Sequence, residues 1–599
     1  MSQEYSVLTD YIDARATHAA NQAAYHTWQQ HEWQTTSWGQ FANRARRLAN
    51  GLDALGVEEN DVVVLLLPTG LTWELAQVAL LLQGATVVGL DAHDLPERLA
   101  QIVETCGARG AIVDSAVSMA RIPQEVWTQF DFVVSTANDA KPENFAKQWL
   151  AFDDISSTDE KNFATRATPQ TVATIIFTSG STGRPKGIPY THEQVCGAIS
   201  AILEAFPEIE AGDRLVCWLP LSNLFQRMIN YCAAGRGAET YFVSDPRRIM
   251  EMLPLVKPHL FISVPRFFEK LNDGIEANLA KSSALQRSIA NWAIAVGERS
   301  SARRRDGQSL NWFQRLQLAL ADRLVLSRLR QVMGGEIKFL VSGSAPISMW
   351  LLERFHGMGM LILEAYGLSE NVTPIAVNRV KDFHFGRVGR PMAGNEVSIA
   401  EDGEVLVKGP GVFGGYLGAP TSEAGVGESG FLHTGDLGEF DENGFLRLVG
   451  RKSEIFKTST GRKVAPVPIE AKIKRLAGVD FAVLIGSGRK MTSVIVAPGM
   501  EDERDLKDES AFTSFVKRLR AEITPALEDE QSYAQPMGAI VRNKTFTIDT
   551  EELTSNLKIR RKVIEEKNQA ALVALYDMLE NGSNEQLLRF DDHTILITL

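Results

Sequence analysis

The stretch TSGSTGRPKG, residues 178–187, follows the apolar run TVATIIF and packs three glycines, a series of hydroxyl side chains and one lysine together. Successive backbone N–H groups in a loop of this kind can converge on an anion, and glycine lets that anion approach closely. Ser179, Ser181 and Thr182 add hydroxyl donors, and Lys186 adds a positive charge. The chemistry such a loop serves is the gripping of a phosphate. It is not the Walker pattern G-x-x-x-x-G-K-[ST], because Pro185 precedes Lys186 and Gly187 follows it. The next helix is predicted to open only at THEQ, where Thr191 and Gln194 supply a capping box. A buried strand feeding a phosphate loop of a different, mobile type is expected.

Positioning that loop requires layers of regular structure. Short β-branched runs predict strands at 62–67, 110–115, 131–135, 173–179, 214–219, 259–264, 336–343 and 360–366. Amphipathic stretches lie between most of them, which predicts an α/β fold with largely parallel sheets. Parallel strands offer ligands their carboxyl ends, and the glycine loops fall there. Residues 271–333 read as a helical insertion with a polar break near Asp306–Ser309. From about 384 to 450, glycine-punctuated short strands predict an antiparallel β subdomain. A smaller α/β segment follows. The expected organisation is therefore a large N-terminal domain over 1–451 and a small mobile C-terminal α/β domain over 452–599, whose tail packs as an edge strand.

At 599 residues the chain exceeds one core. Its net charge of −12 argues against nucleic-acid binding. Four cysteines (Cys106, Cys196, Cys217, Cys232) show no metal-type spacing and read as small core residues in a reducing compartment. The N-terminus lacks the basic start and apolar stretch of a secretory leader. Residues 62–90 are the most apolar window, but Pro68, Gly70, Glu74, Gln77 and Gln83 interrupt it, so it reads as strand–turn–helix–strand. A cytoplasmic protein with room for peripheral membrane contact is expected.

The loop is followed, in order, by LPLSNLFQR (219–227), VPRFFEKL (264–271), SGSAPIS (342–348), YGLSE (366–370), VGRP (388–391), GEVLVKGPGVFGGY (403–416), FLHTGDLGEFDENGFLRLVGRKSEIFKTSTGRKVAP (431–466) and LTSNLKIRRKVI (553–564). This ordered set, over roughly residues 35–570, resembles the adenylate-forming superfamily of acyl-CoA synthetases, luciferases and peptide-synthetase adenylation domains.

The resemblance implies roles residue by residue. Thr178, Ser179, Gly180, Ser181, Thr182, Gly183 and Lys186 would grip the β- and γ-phosphates of ATP. Glu370, with Thr178, would hold Mg2+, a hard cation that takes oxygen ligands. Gly343, Ser344, Ala345 and Pro346 would line one face of adenine, with Tyr366 on the other, and Gly367 would belong to the same ATP site. Ser369, where the family has threonine, would reach the α-phosphate. Asp436 would accept both ribose hydroxyls, and Arg451 would contact ribose and phosphate. Lys558 would supply the ammonium that offsets repulsion between an attacking carboxylate and ATP. Arg560, Arg561 and Lys562 stand beside it as competing candidates. Ser453 occupies the hinge position, where aspartate or lysine is usual, and Gly461 would line the path of coenzyme A.

Two more departures lie in LPLSNLFQR: Asn223 replaces histidine and Gln226 replaces glutamate. In SGFLHTGD, Phe431 replaces tryptophan. The helical insertion and LKIRRKVI are similar to the long-chain fatty acyl-CoA synthetases. The implied activity is ATP- and Mg-dependent ligation of a long-chain fatty acid to CoA through acyl-AMP. Alternatives keep the first step with another acceptor (a carrier-protein phosphopantetheine arm, or β-lactone formation), or retain the fold for acyl or nucleotide binding without catalysis.

Overall fold

A computed structural model describes residues 5–137, 139–156, 163–179, 184–420, 425–547, 549–553, 559–580 and 586–599. The chain divides into two compact units. The first comprises Met1–Ala400, Leu406–Thr434 and Phe440–Arg447; the second comprises Glu401–Val405, Gly435–Glu439 and Leu448–Leu599.

The first unit is built on two sheets. In the seven-stranded one the order is Gln148–Ala151, Phe132–Ser135, Gly110–Val113, Val62–Leu66, Thr86–Gly89, Val172–Ser179, Pro185–Thr191. The first five pairings are parallel and the last is antiparallel. The central strands are continuous apolar runs because helices cover both faces. The window 62–90 forms strand, helix Leu71–Gln83 and strand, as its interrupting polar residues predict.

The nine-stranded sheet has a parallel core of Ile362–Leu368, Phe339–Ser342, Leu260–Ser263, Arg214–Cys217, Glu239–Phe242 and Ala23–Gln29, with antiparallel pairs at both ends. All four cysteines are buried free thiols.

A buried polar network joins elements of both sheets. Arg227, only 1% exposed, sits on helix Leu224–Arg236. Its Nε donates to Gln77 Oε1 (2.8 Å), and its Nη1 donates to Thr174 Oγ1 (2.9 Å) on the strand that leads into the glycine loop. From the same helix Asn230 donates to Glu74 Oε1 (2.6 Å), and Gln77 donates to Glu74 Oε2 (3.1 Å). Burial pushes the Glu74 carboxyl upward, against the pull of Asn230, Arg227 and Gln77.

Between strands Leu260–Ser263 and Phe339–Ser342 run the helices Pro265–Lys281, Ala284–Arg305 and Trp312–Ala321, then a π turn over Asp322–Leu326. The polar break falls at 306–311, but the first helix begins at 265 rather than 271. Pro265 stands in the first turn, where its fixed φ suits a helix and its missing N–H costs nothing. Ala284–Arg305 crosses Met349–Gly357 at a glycine contact: a Cβ on Gly297 would meet the Gly357 carbonyl oxygen at 2.2 Å.

In the second unit a five-stranded sheet runs Phe481–Ile485, Thr492–Ala497, Pro536–Arg542, Thr594–Thr598, Leu587–Asp591. Strand alternation fills two cores. Ala482, Leu484, Val494 and Val496 face Phe512, Phe515 and Leu519 of helix Glu509–Ala526; Val483, Ile485 and Ile495 face Leu572 and Leu575 of helix Gln569–Glu580. The tail supplies two strands rather than one, and the outer of them, Leu587–Asp591, is the edge.

Gly297→Ala forces backbone apart, since the atom it would strike is a carbonyl and not a flexible side chain. A loss of about 1–3 kcal/mol is expected, read as a lowered thermal midpoint. An unchanged midpoint would mean that the two helices can part at this crossing without cost.

Candidate active site

Of the residues assigned to the phosphate loop, Gly180, Ser181, Thr182 and Gly183 lie outside the described residues, as does the side chain of Ser179; so does Lys558. The flanks of the loop are a paired hairpin, with Thr178 opposite Lys186 and Ser179 opposite Pro185. The following helix opens at His192 with the predicted Thr191–Gln194 capping box.

Lys186 is held by a residue to which the sequence reading gave no role. Its Nζ lies 4.6 Å from the centre of the Tyr416 ring. Tyr416 Oη donates to Glu370 Oε1 at 2.9 Å. One aromatic side chain thus bridges the lysine of the loop and the carboxylate of YGLSE. Backbone contacts put it there. Leu417 N donates to Gly187 O (2.8 Å), Phe413 N donates to Glu370 O (3.0 Å), and Gln194 Nε2 donates to the carbonyls of Pro410 and Val412. Gly411 has no room for a Cβ, which would meet Asn371 Oδ1 at 2.5 Å. The only signal in the sequence was that the motif GEVLVKGPGVFGGY ends on this tyrosine. Burial and the neighbouring Glu370 charge raise the Tyr416 phenol, so it stays a donor at any working pH.

Ser369 and Glu370 form the turn between Ile362–Leu368 and Asn371–Val377 at the carboxyl end of a parallel strand. The Ser369 carbonyl accepts the hydroxyl of Tyr190. Tyr366 is buried in that strand and Gly367 is exposed. In the neighbouring turn Gly343 is buried while Ser344, Ala345 and Pro346 are exposed. Ser344 takes a left-handed φ of +68°, which a non-glycine residue adopts at a cost. Glu370 and the Thr178 hydroxyl are oxygen donors of the class a phosphate-bridging Mg2+ takes.

Gln226 is fully buried. Its Oε1 accepts from the backbone N–H groups of Trp218 and Leu219, and its Nε2 donates to Asn230 Oδ1 (3.0 Å). The amide binds as acceptor and donor together, which a carboxylate could not do. Asn223 begins the helix.

In the second unit Asp436 is buried, and Arg451 Nε donates to its Oδ1 at 2.8 Å. Beside it Glu404 accepts from Gly435 N (2.9 Å) and from Lys452 Nζ (3.0 Å). Ser453 is exposed in a turn, and Gly461 takes a φ of +82° in the hairpin of Phe456–Lys457 and Lys463–Val464. The described residues on either side of 554–558 are tied to one another. Leu553 pairs with Ile559, Arg560 N donates to Glu552 O, and buried Glu552 binds Arg542 Nη1 at 2.5 Å. Arg561 grips Glu470 with both Nη atoms (2.6 and 3.0 Å) and also donates to Leu484 O. Of the competing cations, Arg561 is therefore committed inside the unit, while Arg560 and Lys562 are exposed.

A family profile described as AMP-binding enzyme matches residues 12–417, and one described as AMP-binding enzyme C-terminal domain matches residues 454–580. The chain is 31% identical over 561 residues to the long-chain-fatty-acid–CoA ligase FadD15 of Mycobacterium bovis, covering 91% of this chain and 93% of that one. It is 26% identical over 584 residues to the long-chain-fatty-acid–CoA ligase ACSBG2 of Xenopus laevis, covering 89% and 78%. Among solved structures it shares its fold with the A-PCP didomain of carboxylic acid reductase from Segniliparus rugosus in complex with AMP. The TM-score is 0.74 at 20% identity, over 97% of this chain and 83% of that one. ATP-bound MatB from Rhodopseudomonas palustris gives 0.70 at 19% identity, over 94% and 99%.

Tyr416→Phe keeps the ring beneath Lys186 and removes the hydrogen bond to Glu370; Tyr416→Leu removes both. Pyrophosphate release from ATP is expected to fall roughly tenfold for the first and further for the second. Equal activity in all three proteins would show that the bridge is idle.

A pH effect arises two residues before Tyr366. Burial raises the Glu364 carboxyl to about 8, against Gly386 N–H and Arg387, which pull it down. The folded chain therefore holds a proton that the unfolded chain releases near 4.5. Stability is full below that value and falls as pH rises through about 8, by up to about 1.4 kcal/mol per pH unit. Glu364→Gln should flatten this slope in thermal melts across the window; an unaltered slope would assign it elsewhere.

Proposed function

The chain belongs to the AMP-binding enzyme family, and from that premise we propose that it is an ATP- and Mg-dependent long-chain fatty acid–CoA ligase. The observation that carries this reading is the Lys186–Tyr416–Glu370 cluster at the strand ends, together with the Asp436–Arg451 pair. Similarity to FadD15 over nearly the whole chain supports the acid and the acceptor.

In the first step a carboxylate oxygen of the fatty acid attacks the α-phosphorus of ATP. The new O–P bond forms as the bond to the β-phosphate oxygen breaks, and pyrophosphate leaves. The chain contributes mainly position and field, because phosphoryl transfer leaves little covalent work for a protein. The loop N–H groups and Lys186 hold the phosphates. Glu370 and Thr178 would hold Mg2+, which offsets phosphate charge. Asp436, fixed by Arg451, takes the ribose hydroxyls. Lys558 is the residue we assign to offset the repulsion between the two anions, a role in which one well-placed donor is worth about 10²–10³ in rate. In the second step the thiol sulfur of CoA attacks the acyl carbonyl carbon, its proton passes to solvent, and AMP departs. Ser453 is assigned the hinge role and Gly461 a place on the thiol's path in the second step. An apolar acyl site discriminates chain length at about 0.8 kcal/mol per methylene, roughly fourfold per carbon.

Palmitate, ATP and CoA should yield palmitoyl-CoA, AMP and pyrophosphate, and Lys558→Ala should slow pyrophosphate release by at least about a hundredfold. ADP as the nucleotide product would defeat the reading. Pyrophosphate release that never transfers the acyl group to free CoA would move the acceptor elsewhere.

A further inference from the structure

The helices between strands Leu260–Ser263 and Phe339–Ser342 bury one face and leave the other apolar and bare. Inward, Ala290, Ala293, Ile294, Val296, Ala321 and Leu326 are buried. Outward, Trp312 (77% exposed), Leu316 (58%), Leu320 (48%) and Leu324 (44%) recur every fourth residue along Trp312–Ala321 and the π turn after it. Phe313 beside Trp312 is 51% exposed. An amphipathic helix in water normally turns charge outward and apolar residues in; here apolar residues lie on both sides. Large aromatic and leucine side chains lose free energy in contact with water, so a stripe of this kind calls for a partner.

The charge around the stripe says which one. The chain as a whole carries −12, yet residues 281–330 hold ten basic side chains and only three acidic ones, Glu298, Asp306 and Asp322. Among the described residues only Arg305 and Arg330 of the ten form an ion pair, with Glu353 and Asp322. Arg315 and Arg323 are exposed among the stripe residues, and Arg303 and Arg304 are exposed at the end of the preceding helix. Exposed Trp, Phe and Leu ringed by arginine fit the boundary of an anionic bilayer, where aromatic rings sit at headgroup level and guanidinium groups meet phosphates.

We propose that the face carrying Trp312, Phe313, Leu316, Leu320 and Leu324 docks on anionic lipid bilayers, held by the surrounding arginines. None of these residues belongs to the candidate active site, so docking stands or falls separately from the ligase reading. No described helix is long and apolar enough to cross a membrane, and the proposed contact is peripheral.

The test uses the full chain and flotation with vesicles, either phosphatidylcholine alone or equal parts phosphatidylcholine and phosphatidylglycerol. Binding to the mixed vesicles is expected, weakened by salt, with little on neutral ones. Arg303→Ala, Arg304→Ala and Arg315→Ala should each weaken it roughly fivefold. The double variant W312S/L316S should weaken it by at least about tenfold, with its thermal midpoint and activity on a soluble medium-chain acid unchanged. Absence of vesicle binding, or binding that survives W312S/L316S, overturns the proposal. So does a wild-type dimer that W312S/L316S converts to a monomer, which would assign the face to a second copy of the chain.

Discussion

The constraint on which the first unit depends is the buried contact between Arg227 and its partners. A guanidinium removed from water is costly unless its donors are used and its charge answered. Here Gln77 and Thr174 accept from it, the Trp73 ring lies 5.2 Å beneath it, and Glu74 sits one amide away through Gln77. The energetic merit of such a network is modest, since a packed apolar cluster could do as well. Its merit is geometric. Thr174 lies on the strand that runs into the glycine loop, and Arg227 lies on the helix that follows LPLSN. A helix shift that would slide these two apart must first strand a buried charge.

Gln226 extends that logic to a departure from the family pattern. From sequence the position is an amide where the long-chain enzymes carry glutamate. In the fold it holds the backbone at Trp218 and Leu219 with its oxygen and Asn230 with its nitrogen. Amide chemistry fits because one group must accept at one end and donate at the other. The substitution shapes the loop rather than subtracting a charge from it.

Much of this was legible in the sequence for one reason: strands buried on both faces read as continuous β-branched runs, and helix starts carry local signals such as Thr191–Gln194 and Pro265. The strand ends therefore fell close to Ser344, Ser369 and Glu370, whose roles came from the resemblance, while Tyr366 lies inside its strand. What stayed hidden is what depends on long-range approach. Tyr416 reaches Lys186 and Glu370 only because segment 409–417 crosses two hairpins, and no periodicity encodes that. The commitment of Arg561 to Glu470 is equally invisible, since ninety-one positions separate the two. In the run of basic residues around 558–562 each cation looks alike until packing claims one of them.

Charge allocation completes the picture. A chain of net charge −12 that handles ATP and a carboxylate gains nothing from long-range attraction, and at physiological ionic strength fields fade within about 8 Å anyway. Anion binding must then come from short contacts, and the described cations at or beside the proposed site are individually held. Lys186 rests on an aromatic face, Arg451 on Asp436, and Lys452 on Glu404 and Asp402. A held cation loses little further side-chain entropy when an anion arrives, so more of the contact energy appears as binding. The exposed arginines of residues 281–330 follow the opposite rule. They are numerous and mostly unpaired with carboxylates, which suits a broad, deformable anionic surface and not a single phosphate. Two ways of spending positive charge thus coexist in one acidic chain, and each matches the size and rigidity of what it meets.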